Sequence, residues 1–134
     1  MAATTTPAVL VTEALAHDLV DAGGYTHPLF HPDDPAQRPL PGQAVLLLMG
    51  GLVEQSGALD HAVALLELRR IRFHAMVRPG TRLHVEVELG AATPTTDGRA
   101  RQDTTWTAYD DHGTLVAQAD ALMLVRGPEQ GEAR

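Results

Sequence analysis

One segment limits the folds open to this chain more than any other. From Gln43 to Ser56 the sequence reads Gln-Ala-Val-Leu-Leu-Leu-Met-Gly-Gly-Leu-Val-Glu-Gln-Ser, with Pro41-Gly42 before it and Gly57 as a C-terminal stop. Wound into a helix of about 14 residues, this stretch is apolar on every side, and such a helix must be enclosed by other structure. It is far shorter than the roughly 20 apolar residues a bilayer span needs, so the enclosing medium is expected to be protein. Gly50 and Gly51 within it would let a strand or a ligand approach closely.

The sequence beyond the helix supplies strands to do the enclosing. Leu68 to Val77 places Ile71, Phe73, Ala75 and Val77 against Arg70, Arg72, His74 and Met76, and Arg78-Pro79-Gly80-Thr81 follows with turn chemistry. Leu83, Val85, Val87 and Leu89 then alternate with Arg82, His84, Glu86 and Glu88, the mark of a half-buried strand. These two segments are expected to form a hairpin. A third strand over Arg99 to Tyr109 carries Ala100, Gln102, Thr104, Trp106 and Ala108 on one face, and Asp110-Asp111-His112-Gly113 turns it into a fourth, Leu115 to Val125. Antiparallel strands with one apolar face need a cover, and the Gln43–Ser56 helix is the one segment apolar enough to be it. The expected fold is therefore α+β: an antiparallel β-sheet wrapped around one long buried central helix, the hotdog arrangement.

The whole of residues 1–134 reads as one domain, with a core over about 9–126 and a polar tail, 127–134, expected to fray. A short helix starts at Glu13 with Thr12 as its cap and stops at Gly23-Gly24. From Gly23 to Pro41 the chain carries five of its nine prolines, two histidines and two adjacent aspartates, a composition for an ordered, irregular loop. Loops of this length more often carry function than merely connect.

Composition narrows the chemistry. With no cysteine there can be no disulfide, zinc–thiolate site or cysteine nucleophile, and a reducing compartment, the cytoplasm, fits. Formal net charge is −7, and the ten basic residues, all arginine, are scattered; nucleic-acid binding needs them clustered. A small organic ligand is expected rather than nucleic acid or membrane. The seven histidines are too dispersed for a metal site, and no cofactor is implied.

Several segments together resemble the MaoC-like acyl-thioester hydratases and dehydratases. Thr12-Glu13-Ala14 with Gly24-Tyr25-Thr26-His27-Pro28-Leu29 is similar to their entry helix and active-site loop, Pro39-Leu40-Pro41-Gly42 to the start of their central helix, and Ile71-Arg72-Phe73 through Val77-Arg78-Pro79-Gly80-Thr81-Arg82-Leu83 to their most recognisable hairpin. The likeness spans about residues 11–126. It implies a homodimer whose sheets pair edge to edge, binding acyl-CoA or acyl-carrier-protein thioesters and adding water reversibly across a 2-enoyl thioester. The family's loop, Gly-Asp-x-Asn-Pro-Leu-His, uses its Asp and His to hold the water and move protons. Matching Pro28-Leu29 puts Tyr25 at that Asp, His27 at the Asn and Phe30 at the His. One insertion at Phe30 instead brings His31 to the His position and aligns His31-Pro32-Asp33 with the following His-x-Asp.

The candidate site follows from these matches. His31, ahead of His27, is the expected proton carrier, since imidazole titrates near neutrality; both could equally be solvated loop histidines. Asp33 or Asp34 could supply a carboxylate, or Asp-Asp-Pro could simply start a turn. Tyr25 could donate a hydrogen bond to a carbonyl or fill the pocket. Gly42 and Gln43, with free N–H groups at the positive end of the central helix, are expected to hold the thioester oxygen, with Phe30 also against the substrate. Two other readings stay open: a catalytically silent hotdog protein that binds an acyl chain or stabilises a partner subunit, and a thioesterase using Glu54. Glu54 and Gln55 otherwise read as polar groups where the helix emerges, and His61 and His74 as structural or solvated.

Overall fold

The computed structural model describes residues 3–127. The tail expected to fray falls, Gly127 apart, outside them. In chain order the elements are β1 (Thr4–Thr5), β2 (Val9–Leu10), α1 (Glu13–Gly23), two single-turn 3-10 segments (Pro28–Phe30 and Pro35–Gln37), α2 (Gly42–Gln55), β3 (Ala62–Phe73), β4 (Arg82–Pro94), β5 (Arg99–Asp110) and β6 (Leu115–Arg126). The strands form one antiparallel sheet in the order β1-β4-β5-β6-β3, with β2 also on β4. α2 lies in its concavity, so the expected hotdog arrangement is the fold observed.

Alternation sets which residues meet the helix. Val85 and Val87 of β4, Trp106 and Ala108 of β5, and Ala117, Ala121 and Met123 of β6 share one core with Val45, Met49, Leu52 and Val53 of α2. Polar groups inside this core are satisfied, as burial requires. The Thr104 hydroxyl donates to the Ala121 carbonyl (2.8 Å) and accepts from Trp106 Nε1–H (3.1 Å). The Thr6 hydroxyl donates to the Pro7 carbonyl and accepts from the Val85 N–H, pinning the N-terminal strands to β4. α1 forms as its sequence directs: Leu15 N–H donates to Thr12 Oγ1 (3.0 Å), and Gly24 closes the helix at φ 73°, a left-handed conformation glycine adopts without a Cβ penalty.

Three expectations are corrected. The segments around the Arg78–Thr81 turn do not pair as a hairpin: β3 lies beside β6, and β4 is three places away across the sheet. The turn itself is real, with Thr81 N–H donating to the Arg78 carbonyl and Gly80 at φ 97°, but it docks on Val11 rather than joining neighbouring strands. Alternation reports which face a residue occupies; it carries no information on which strand is the neighbour. Second, β3 starts at Ala62 rather than Leu68 and ends at Phe73 rather than Val77. Its register shifts three times along β6, and Arg70 takes φ 49°, so it does not follow a period of two. Third, α2 is not enclosed all round. Leu47 is 64% exposed, and Leu46 and Leu48 are half-buried.

The β5–β6 turn is held by one carboxylate. Asp110 accepts from the N–H groups of Thr114 and His112, each at 2.9 Å. Chiefly the Thr114 bond, and with it that of His112, holds the carboxyl below its ordinary pKa. A depressed folded pKa stabilises the native state above the unfolded value and loses that contribution as pH falls through the folded one. Asp110→Ala is therefore expected to lower the urea midpoint at neutral pH, with the gap to wild type closing as pH drops below the ordinary carboxylate range.

Candidate active site

The loop between α1 and α2 is fixed by Tyr25. Its ring lies against Gly23, where a Cβ would come within 2.6 Å of it, and meets Phe30 edge-on with centroids 5.2 Å apart. Its hydroxyl donates to Gln43 Oε1 (3.2 Å), and its backbone carbonyl accepts from His31 Nε2–H (2.7 Å). One residue thus ties the end of α1, the first turn of α2 and the His31 ring together. Of the expected site residues, Tyr25, Phe30, His31, Gln43 and, by adjacency, Gly42 come together.

The two histidines divide by the bonds their rings make. A backbone carbonyl only accepts, so the neutral His31 ring carries its proton on Nε2 and leaves the Nδ1 lone pair open. His27 differs in that its Nδ1 is the engaged nitrogen. Its Nδ1 accepts the Leu29 N–H (3.0 Å), capping the Pro28–Phe30 turn, so its lone pair is already engaged. A general base needs that lone pair, which makes His31 the residue equipped for proton transfer.

The aspartates serve the loop. Asp34 Oδ1 accepts from Ala36 N–H (3.0 Å) and starts the second 3-10 turn, while Asp33 is exposed and makes no hydrogen bond or ion pair among the described residues. Neither carboxylate touches His31. Glu54 is exposed and lies along α2 from Gln43 by about 16 Å, at ~1.5 Å rise per residue. His61 binds Gln102 Oε1 on the sheet (2.6 Å), and His74 follows β3 in an exposed segment rather than lying within a strand.

α2 opens without a side-chain cap and with no acidic residue in its first turn. Ala44 and Val45 N–H both donate to the Pro41 carbonyl, while those of Gly42 and Gln43 have no partner among the described residues. Gly42 is held to a glycine by a residue the sequence reading did not connect with it: a Cβ there would sit 2.8 Å from the Phe73 ring. From this end an apolar surface continues along α2. A cleft of about 300 Å³ lined by Leu19, Tyr25, Gln43 and Leu47 shares Gln43 and Leu47 with a second of about 490 Å³, reaching Gly50, Gly51, Glu54, Leu65 and Trp106. A third, of about 370 Å³, continues from Gly50 and Glu54 to Val63 and Met123. Reading the helix as enclosed on all sides hid this surface; the only sequence sign of it was the Gly50-Gly51 pair. Among the described residues no group of three or more His, Asp or Glu is placed to hold a metal.

By sequence the chain matches no family model and no curated protein. By structure it is similar to the MaoC-like dehydratase from Rhodospirillum rubrum, with TM-score 0.77 and 20% identity over 94% of this chain and 91% of that one. It is also similar to the (R)-hydratase from A. caviae involved in PHA biosynthesis (TM-score 0.69, 17% identity, 96% and 97% covered) and to a monoamine oxidase regulatory protein from Archaeoglobus fulgius (TM-score 0.80, 18% identity, 94% and 89% covered). At these identities the likeness establishes the shared hotdog fold, and the site itself must carry the chemistry.

The Tyr25 clamp makes a measurable prediction. An alanine in place of a helical glycine ordinarily stabilises by about 0.5–1 kcal/mol, whereas overpacking costs roughly 1–3 kcal/mol. Gly23→Ala is expected to destabilise the wild type in urea denaturation, and to be neutral or stabilising in a Tyr25→Ala background, where the ring is gone.

Proposed function

We propose that this protein is a hydratase or dehydratase that adds water to, or removes it from, an acyl thioester carried on CoA or an acyl-carrier protein, with His31 as its acid/base. The observation that carries the reading is the His31 ring, anchored through Nε2–H with Nδ1 open, on the same clamp that holds Gln43 at the uncapped start of α2. Fold likeness to dehydratases and hydratases supports the reaction class.

In the hydration direction, His31 Nδ1 takes a proton from water as its oxygen bonds to C3 of the 2-enoyl thioester. The electron pair of the C2–C3 double bond moves toward the thioester carbonyl, and the developing negative charge on its oxygen falls to the N–H groups of Gly42 and Gln43. The imidazolium then returns the proton to C2, so the enzyme ends as it began and the product is a 3-hydroxyacyl thioester. Tyr25 is a positioning residue here, and Phe30 packs behind it. Asp33 has no step, which leaves one imidazole with work that two groups share in the usual loop.

The chain is proposed to work as a homodimer. β3 is an edge strand whose Val63, Leu65, Leu66, Ile71 and Phe73 are exposed, an apolar edge that ordinarily requires a cover. A cytoplasmic setting suits a chain without cysteine. A second reading, a silent acyl-binding protein, draws on His31 having no hydrogen bond or ion pair with a carboxylate among the described residues. The thioesterase reading is the least supported, because Glu54 lies far from the free N–H groups.

Loss of enoyl absorbance with crotonyl-CoA and a longer 2-enoyl-CoA tests the assignment. His31→Ala is expected to cost about 10²–10⁴-fold in turnover. His27→Asn, which keeps a capping acceptor, is expected to retain most activity. Turnover that survives His31→Ala, or none by the wild type on any enoyl thioester, would count against the hydratase.

A further inference from the structure

Gln43 has a second set of donors. The Tyr25 hydroxyl donates to its side-chain Oε1 (3.2 Å), and with that oxygen engaged the two Nε2–H groups of the carboxamide turn away from the hydroxyl. Nε2 makes no hydrogen bond among the described residues. The hydroxyl that sets this orientation is itself held, because the Tyr25 ring lies against Gly23 and meets Phe30 edge-on. Tyr25 and Gln43 both line the cleft of about 300 Å³ whose other side chains, those of Leu19, Ala22, Ala44 and Leu47, are apolar. Fixing a long side chain at an exposed position costs conformational entropy that one hydroxyl–amide bond in water scarcely offsets. The ordered amide gains most when its free end meets a ligand.

From this geometry we infer that the Gln43 carboxamide is a third donor to the thioester oxygen, beside the N–H groups of Gly42 and Gln43, and that Tyr25 is the residue that aims it. The inference rests on the thioester reading above, which brings that oxygen to the start of α2. Reach allows it in almost any rotamer. At full extension Nε2 lies about 6 Å from its own backbone N, five bonds advancing ~1.25 Å each, and one oxygen accepting from both at ~2.9 Å spans nearly that whole distance. The chemistry of the group also suits the task. A neutral amide places two N–H donors at the developing oxyanion without the desolvation cost of a cation and without titrating near neutrality. A glutamate there would accept from Tyr25 equally well but would present a negative oxygen where the donors now stand. Gln43 thus contributes its side chain as well as its backbone, and Tyr25 acts through it as a positioning residue.

The test reads polarisation of the carbonyl without turnover. A 2,4-dienoyl-CoA absorbs at longer wavelength when donors draw charge onto its thioester oxygen, and it is titrated into the full chain carrying His31→Ala, which removes the proposed acid/base. Bound dienoyl-CoA is expected to show a red shift. Gln43→Leu should lose roughly a third of it, one donor in three, and Gln43→Glu more, although it keeps the Tyr25 bond. Tyr25→Phe should reduce the shift when Gln43 is present and change nothing further beside Gln43→Leu. With His31 in place, Gln43→Leu should lower turnover about 10²-fold. Gln43 is exposed, so both of its substitutions leave the core intact. A shift unchanged by Gln43→Leu and Gln43→Glu, or reduced equally by Tyr25→Phe in both backgrounds, would overturn the inference. So would bound dienoyl-CoA with no shift, or no binding at all. Turnover that depends on His31 with a shift indifferent to Gln43 would defeat only the donor. A shift that follows Gln43 in a protein that hydrates no enoyl-CoA would uphold the donor and defeat only the hydratase reading.

Discussion

A 14-residue helix that carries apolar side chains on nearly every side cannot stand in water, and the rest of this fold answers that requirement. Strands β4, β5 and β6 turn alternate residues inward onto Val45, Met49, Leu52 and Val53, and the sheet curves because it must follow a cylinder. The enclosure stops short on one side, where Leu47 remains exposed and the clefts begin. The same constraint therefore produces a core and an apolar surface left over from it. That remainder is where a small apolar ligand has most to gain.

How α2 enters the sheet determines what chemistry is possible there. Pro41 supplies no side-chain cap, the first turn holds no acid, and Phe73 keeps Gly42 bare, so the helix starts with donors that have no partner among the described residues. Tyr25 then brings the preceding loop onto this helix end through Gln43, and its carbonyl fixes the tautomer of His31. A residue that stands where the resembling family has a carboxylate thus acts as the scaffold of the loop. Of the two loop histidines, His31 is the one that keeps a ring nitrogen lone pair open.

Much of this was legible in the sequence, and the failures have physical causes. Residues such as Val85, Val87, Trp106 and Ala108 declared their inward face by period-two alternation, and Thr12 and Gly24 marked the limits of α1 through capping chemistry. The neighbour of β3 was not legible, because pairing partners depend on how the chain crosses between Phe73 and Arg82, and the bulges at Arg70 blur the alternation. The reading of Asp-Asp-Pro as a turn starter agrees with Asp34. The loop match placed His31 ahead of His27, but the physical reason was not legible, since a cap and a base use the same lone pair and the bonded partner is what tells them apart. The contact of Tyr25 with Gly23 and that of Phe73 with Gly42 are packing facts with no local signature.

The central claim is that His31 and the start of α2 face one thioester. A crystal structure with an unreactive 2-enoyl thioester analogue tests it most directly. The account predicts the thioester oxygen about 2.7–3.1 Å from the N–H of Gly42 or Gln43, and C3 roughly 3–3.5 Å from a water held by His31 Nδ1. A thioester carbonyl bound away from α2, or a His31 ring turned from it, would contradict the account.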